Sequence, residues 1–125
     1  MKRIFLHFGL LLVMVSPAVV GETEVPYTSE SIDKGRALYT NLCTECHGRD
    51  GKSLVDVISD ATDLTEPDLY RNGSSDAAID QSIRDGAGSG MPPFGSHLKD
   101  GDDVGHLRNF IKSLWPEARR PPVAN

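Results

Sequence analysis

Apolar positions along the chain follow two kinds of spacing. From residue 32 onward, Ile32, Gly35, Tyr39 and Leu42 recur at steps of three and four. That spacing keeps one stripe of a helix facing inward, and it predicts a helix capped by Ser29 or Ser31 that runs to Cys43. Ala78, Ile79 and Ile83 give the buried side of another helix, capped by Ser74 or Ser75 and ended by Gly86. Val104, Leu107, Phe110, Ile111 and Leu114 line a last helix that starts at Asp102 or Asp103 and stops before Pro116. Pro67 opens a short helix through Leu69 and Tyr70, halted by Asn72 and Gly73. No stretch alternates with a period of two, so the expected class is all-α, with about four helices and long loops.

The connecting segments are read from their breakers. Residues 86–95 spell GAGSGMPPFG, which sustains neither a helix nor a central strand. Residues 48–62 are read mostly as loop around a patch of Leu54, Val55, Val57 and Ile58. Glu22 to Ser29, with Pro26, reads as an extended lead rather than a packed element, and the tail from Glu117, with Pro121 and Pro122, as frayed.

The other kind of spacing is the nearly unbroken apolar run from Ile4 to Val15, behind Lys2 and Arg3 and ahead of the small residues Ser16 to Gly21. This is the pattern of a secretory signal, with cleavage expected after Gly21. A retained anchor is the competing reading. His7 and Gly9 interrupt the run, and it is shorter than the roughly 20 residues that span a bilayer. The expected organisation is therefore a signal peptide at 1–21 and one domain at 22–125, with its helical core at about 32–115. Localisation would be periplasmic, without stable membrane insertion after cleavage.

Without residues 1–21, the remaining 104 residues carry eleven basic and eighteen acidic side chains, a formal charge of −7. Such a balance argues against nucleic acid as a partner and favours encounter with a protein bearing a basic patch. A monomer is expected. Aromatic residues make up 6% of the whole chain, so the polypeptide alone offers a modest core that a large apolar cofactor would complete.

The candidate chemistry lies in Cys43-Thr44-Glu45-Cys46-His47. Two thiols three positions apart, followed at once by a histidine, form the attachment pattern of a c-type haem: each thiol bonds one vinyl group and the imidazole ligates the iron. A structural zinc site would want a second cysteine pair, and a thioredoxin-like pair would want a βαβ setting. A plain disulfide leaves His47 unexplained. For a second axial ligand, Met91 is the only methionine after residue 21. It stands between Gly90 and Pro92 in a loop, where a gap-filling role has little to recommend it. His97 and His106 are the alternative sixth ligands. His97 reads otherwise as a solvated loop residue and His106 as a surface or boundary residue of the last helix.

From about Ile32 to Trp115 the chain resembles the class I cytochrome c family. Gly35 and Tyr39 stand eight and four residues before Cys43, as that family's helix-crossing glycine and aromatic do. Leu107 and Phe110 match the residues they pack against, and Gly90-Met91-Pro92 matches the axial methionine loop. The resemblance implies the class I fold, with the first and last helices crossing near one haem edge and the 75–85 helix covering another side. Asp63-Leu64-Thr65, the run from Tyr70 to Ser75, and Ile83-Arg84-Asp85-Gly86 are similar to small cytochromes that accept electrons from periplasmic dehydrogenases, including quinoprotein alcohol dehydrogenases. In one respect the chain departs from the family. No proline lies between His47 and Pro67, so the carbonyl that accepts from the axial histidine must come from elsewhere, with residues 53–58 the expected source.

The expected function is one-electron transfer by one covalently attached haem c with His47 and Met91 as axial ligands. The expected donor is a redox protein such as a periplasmic dehydrogenase, and the acceptor an oxidase or another cytochrome. The alternatives are a haem subunit of a larger enzyme, or a ligand-binding haem protein (a peroxidase or gas sensor) in which Met91 is displaced.

Overall fold

The computed structural model describes residues 24–53 and 61–125. The expected signal segment and the Leu54 to Ile58 patch lie outside the described residues. The α-helices are α1 (Ser29–Leu42), α2 (Thr44–His47), α3 (Asp76–Asp85) and α4 (Asp103–Ser113), with 3-10 turns at Pro67–Leu69, Gly95–His97 and Glu117–Arg119. The architecture is all-α, as the spacing of apolar residues predicts. Two details differ from expectation. The Pro67 helix is a single 3-10 turn, and α2, too short to show a period, is the helical continuation of α1 across Cys43.

α1 and α4 cross in direct backbone contact at Gly35. A Cβ there would overlap the His106 carbonyl oxygen and stand 2.8 Å from the Cβ of Phe110. The helix axes can meet this closely only because residue 35 has no side chain. Tyr39 and Phe110 fill the groove beside the crossing, their ring centroids 4.9 Å apart, and Tyr39 and Leu107 are the largest fully buried side chains described. α3 lies on α4 through Ile79 and Ile83. Arg108 donates to Asp80 at 2.6 Å and Lys112 to Asp76 at 2.6 Å. Buried ion pairs add little net stability, but these fix how α3 sits on α4.

The caps sharpen the helix ends. Thr28, not Ser29 or Ser31, caps α1, its hydroxyl accepting from the Ser31 amide at 3.1 Å. Ser75 caps α3, and Gly86, at φ +86°, ends it. Both chain ends of the domain correct the sequence reading. Val25 is buried against the backbone of Gly105, and Asn109 Nδ2 donates to the carbonyls of Val25 and Pro26 at 3.2 and 3.0 Å. The lead is thus packed, because a single buried amide on α4 satisfies its backbone. The tail is tied down as well: Arg119 donates to both carboxylate oxygens of Asp68, and the Ala124 amide donates to the Tyr27 carbonyl at 2.9 Å.

Candidate cofactor site

Cys43 closes α1 by donating its N–H to the Tyr39 carbonyl, and the His47 N–H donates back to the Cys43 carbonyl, both at 2.9 Å. The chain then turns at Gly48, at φ +70°. Tyr39 reaches across to this turn, donating its hydroxyl to the Gly48 carbonyl at 2.7 Å. The Ser53 amide donates to the His47 carbonyl at 2.9 Å, which holds the histidine backbone from the other side. Ser53 does this at φ +69°, a left-handed conformation that a residue with a Cβ adopts at a cost.

The His47 side chain is buried and has one hydrogen-bond partner among the described residues, the Thr62 carbonyl, 3.0 Å from Nδ1. A carbonyl only accepts, so Nδ1 carries the hydrogen and Nε2 keeps its lone pair. Burial lowers the imidazole pKa, with the bond to Thr62 opposing, so the neutral ring is favoured. A neutral imidazole with Nδ1 held by a carbonyl is the form that binds a metal through Nε2. The acceptor among the described residues is therefore Thr62; of the expected stretch 53–58, all but Ser53 lies outside the described residues. Sequence reasoning could not find it, because a backbone carbonyl carries no side-chain signature.

Met91 is placed by a small hairpin. Ala87 and Met91 exchange backbone hydrogen bonds at 3.1 and 3.3 Å. The Phe94 amide donates to the Ile83 carbonyl at 2.9 Å, returning the chain to the end of α3. Gly86 makes the return possible, since a Cβ there would stand 2.5 Å from the Met91 carbonyl oxygen and 3.1 Å from the Pro92 carbonyl carbon.

Two adjoining hollows of about 650 and 940 Å³, open to solvent, are bordered in common by Cys43, His47, Thr62, Met91 and Phe94. Cys46 lines the larger one, and Ile79, Ile83 and Ile111 wall the smaller. Cys43 and Cys46 are free thiols, not bonded to each other. Burial, reinforced by neighbouring Cys46, pushes the Cys43 thiol up to about 12, so it stays protonated at neutral pH. Tyr70 lines the smaller hollow with its hydroxyl committed: it donates to the Leu64 carbonyl at 2.7 Å and accepts from Trp115 Nε1 at 2.9 Å. Thus Cys43, Cys46, His47 and Met91, selected from the sequence, converge on the same space. His97 is exposed, and His106 lies 2.8 Å from the Ser31 hydroxyl at the helix crossing. Neither borders the hollows.

The fit to a haem rests on this donor set. A neutral imidazole nitrogen and a thioether sulfur are the axial pair that a low-spin haem iron accepts, two thiols at the rim suit its vinyl groups, and the walls are apolar.

A family model described as "Cytochrome C oxidase, cbb3-type, subunit III" matches residues 30–111. The Cbb3-type cytochrome c oxidase subunit CcoP of Rubrivivax gelatinosus is 29% identical over 80 residues, which are 64% of this chain and 25% of that protein. The chain thus spans about a quarter of the length of that curated relative. Among solved structures, cytochrome cL of Methylophaga aminisulfidivorans is 25% identical with a TM-score of 0.60, covering 70% of this chain and 55% of that one. Cytochrome cL of Hyphomicrobium denitrificans is 27% identical with a TM-score of 0.57, covering 73% and 53%. Cytochrome c6 of the diatom Phaeodactylum tricornutum, 20% identical with a TM-score of 0.53, covers 67% and 98% and shares the fold.

Proposed function

The chain belongs to the family described as cytochrome c oxidase, cbb3-type, subunit III, and on that premise we propose that it carries single electrons between redox proteins, with Cys43 and Cys46 as the haem attachment points and His47 and Met91 as the axial ligands. It has the class I c-type cytochrome fold, its cofactor is one covalently attached haem c, and it is an electron-transfer protein. The observation that carries the finer reading is the convergence of Cys43, His47 and Met91 on one apolar hollow, with His47 Nδ1 held by Thr62.

When bound, haem c supplies an iron that alternates between ferrous and ferric states. The residues around it divide the remaining work. Thr62 orients the His47 ring and keeps Nε2 free of a proton. Met91 offers a neutral thioether, which favours the ferrous state and raises the potential. Ile79, Ile83, Ile111 and Phe94 give the cofactor an apolar wall, which would limit the rearrangement that accompanies a change of charge. Cys43, kept as a thiol until attachment, is held near the hollow by the end of α1.

The wider assignments are part of the same proposal: a signal peptide at 1–21, a domain at 22–125, periplasmic location, and a monomer that meets its donor and acceptor through brief contacts without binding nucleic acid. Among the described residues no helix is long and apolar enough to cross a membrane. The likeness to an oxidase subunit favours a second reading, a chain that works docked within a larger redox assembly. Gel filtration of the native extract separates the two: the docked reading requires the chain to elute with a larger redox protein.

An absorption spectrum of the purified protein, oxidised, reduced and reduced under CO, tests the ligand set. The expected outcome is a low-spin c-type spectrum, a near-infrared ferric band from a thioether ligand, and no rapid CO binding. Immediate conversion to a CO adduct would overturn axial ligation by Met91.

A further inference from the structure

The hairpin Ala87–Met91 and the turn that follows Tyr70 are separate in sequence, and Arg71 joins them. A Cβ built on Gly88 would stand 2.8 Å from Arg71 Nε and 2.9 Å from its Cζ. The guanidinium therefore lies against the bare backbone of Gly88, in space that any other side chain at 88 would take. Gly88 also sits at φ +60°, in the left-handed region that favours glycine. Arg71 borders both hollows, as Met91 does. Among the described residues Arg71 makes no hydrogen bond or ion pair, and its packing on the Gly88 backbone is the contact that joins the two turns.

That contribution matters because few backbone bonds among the described residues hold the hairpin. Two backbone bonds close it, at 3.1 and 3.3 Å, and one bond from Phe94 ties its far side to α3. Ser89 and Gly90 at its tip are exposed. A flat guanidinium can lie face-down on a peptide while its methylene stem covers apolar surface. Lysine would keep the stem and lose the plane.

We propose that Arg71 is a positioning residue for Met91: laid over Gly88, it latches the methionine hairpin to the turn after Tyr70 and keeps Met91 at the hollow. The proposal deepens the axial role of Met91 and rests on it. The latch sets how often the hairpin opens, and hence how readily an outside ligand takes the place of the methionine.

The experiment uses the haem-loaded protein and its Arg71→Ala, Arg71→Lys, Gly88→Ala and Arg71→Ala/Gly88→Ala variants. Amide exchange at Ala87 and Met91 reports hairpin opening without reference to iron. The near-infrared thioether band and the affinity of the ferric protein for imidazole report ligation. Arg71→Ala should raise the open fraction about tenfold, so both exchange and apparent imidazole affinity rise about tenfold. Arg71→Lys should fall between that variant and the parent. Gly88→Ala should act in the same direction, and the double variant should do less than the two single effects combined, because both remove one contact. Unchanged exchange at Ala87 and Met91 in Arg71→Ala overturns the latch. Accelerated exchange in a protein whose parent form shows no thioether band supports the latch and overturns Met91 as ligand.

Discussion

The proposed axial ligands stand on two differently built sides of the molecule. His47 belongs to the helix crossing, where Gly35 lets α1 and α4 touch, Tyr39 is buried under Phe110, and the Tyr39 hydroxyl holds the turn beyond the histidine. Met91 belongs to a glycine-rich hairpin that hangs from the end of α3 by a few backbone bonds. Close packing makes the first side resist change, since a displaced atom there disturbs many neighbours. The second side depends on backbone conformations open to glycine at 86 and 88. One proposed ligand is therefore built into the core and the other is placed by a hairpin attached to α3 through backbone bonds.

Substitutions can break that contrast, and the largest effects belong to the crossing. Phe110→Ala should cost about 4 kcal/mol, the range for removing a buried ring, read by denaturant unfolding of the haem-loaded protein. Gly35→Ala should cost roughly 2–3 kcal/mol, because the helices must part to admit a Cβ, and it should lower the thermal midpoint. On the hairpin side, Gly86→Ala strains a positive φ and presses on the Met91 carbonyl, a local penalty of roughly 1–2 kcal/mol. Its signature should be loss of the thioether band with the haem and the helices retained.

The wall between the two sides should show in alkali. Burial pushes the Tyr70 hydroxyl up to about 12 from 10.0. An unfolded chain would release that proton near pH 10 and the folded chain would not, so stability is intact below that pH and falls as it rises toward 12. Tyr70→Phe should lessen the slope of that part of the pH profile of the unfolding midpoint, with Tyr39, whose hydroxyl burial also pushes up, keeping the remainder. The smallest effect is expected at Ser53, where Ser53→Gly relieves a left-handed backbone and should stabilise by about 0.5 kcal/mol after the entropy of glycine is offset.

The crossing was also the more legible side in the sequence. A helix period shows which residues face inward, and the resemblance to class I cytochromes c paired Gly35 and Tyr39 with Leu107 and Phe110. The Cys43 to His47 run and the Met91 loop were legible because their chemistry depends on residue type and order. Long-range partners of backbone groups were not. Val25 and Pro26 look like an extended lead until Asn109, more than eighty positions away, supplies the donor for both carbonyls. The tail behind Pro116 looked frayed for the same reason, since its anchor is Asp68. Arg71 carried no signal either: its place on Gly88 follows from two turns meeting in space.

The crossing at Gly35 also imposes an order in time. α1 finds its partner in α4, so a chain emerging N-terminus first presents Cys43 and Cys46 long before residues 103–113 appear. During that interval the first helix has no groove to enter and both thiols remain within reach of whatever chemistry attaches the porphyrin. Contacts between distant parts of a chain form slowly, and such a delay would leave the proposed attachment site accessible until the last helix closes the fold.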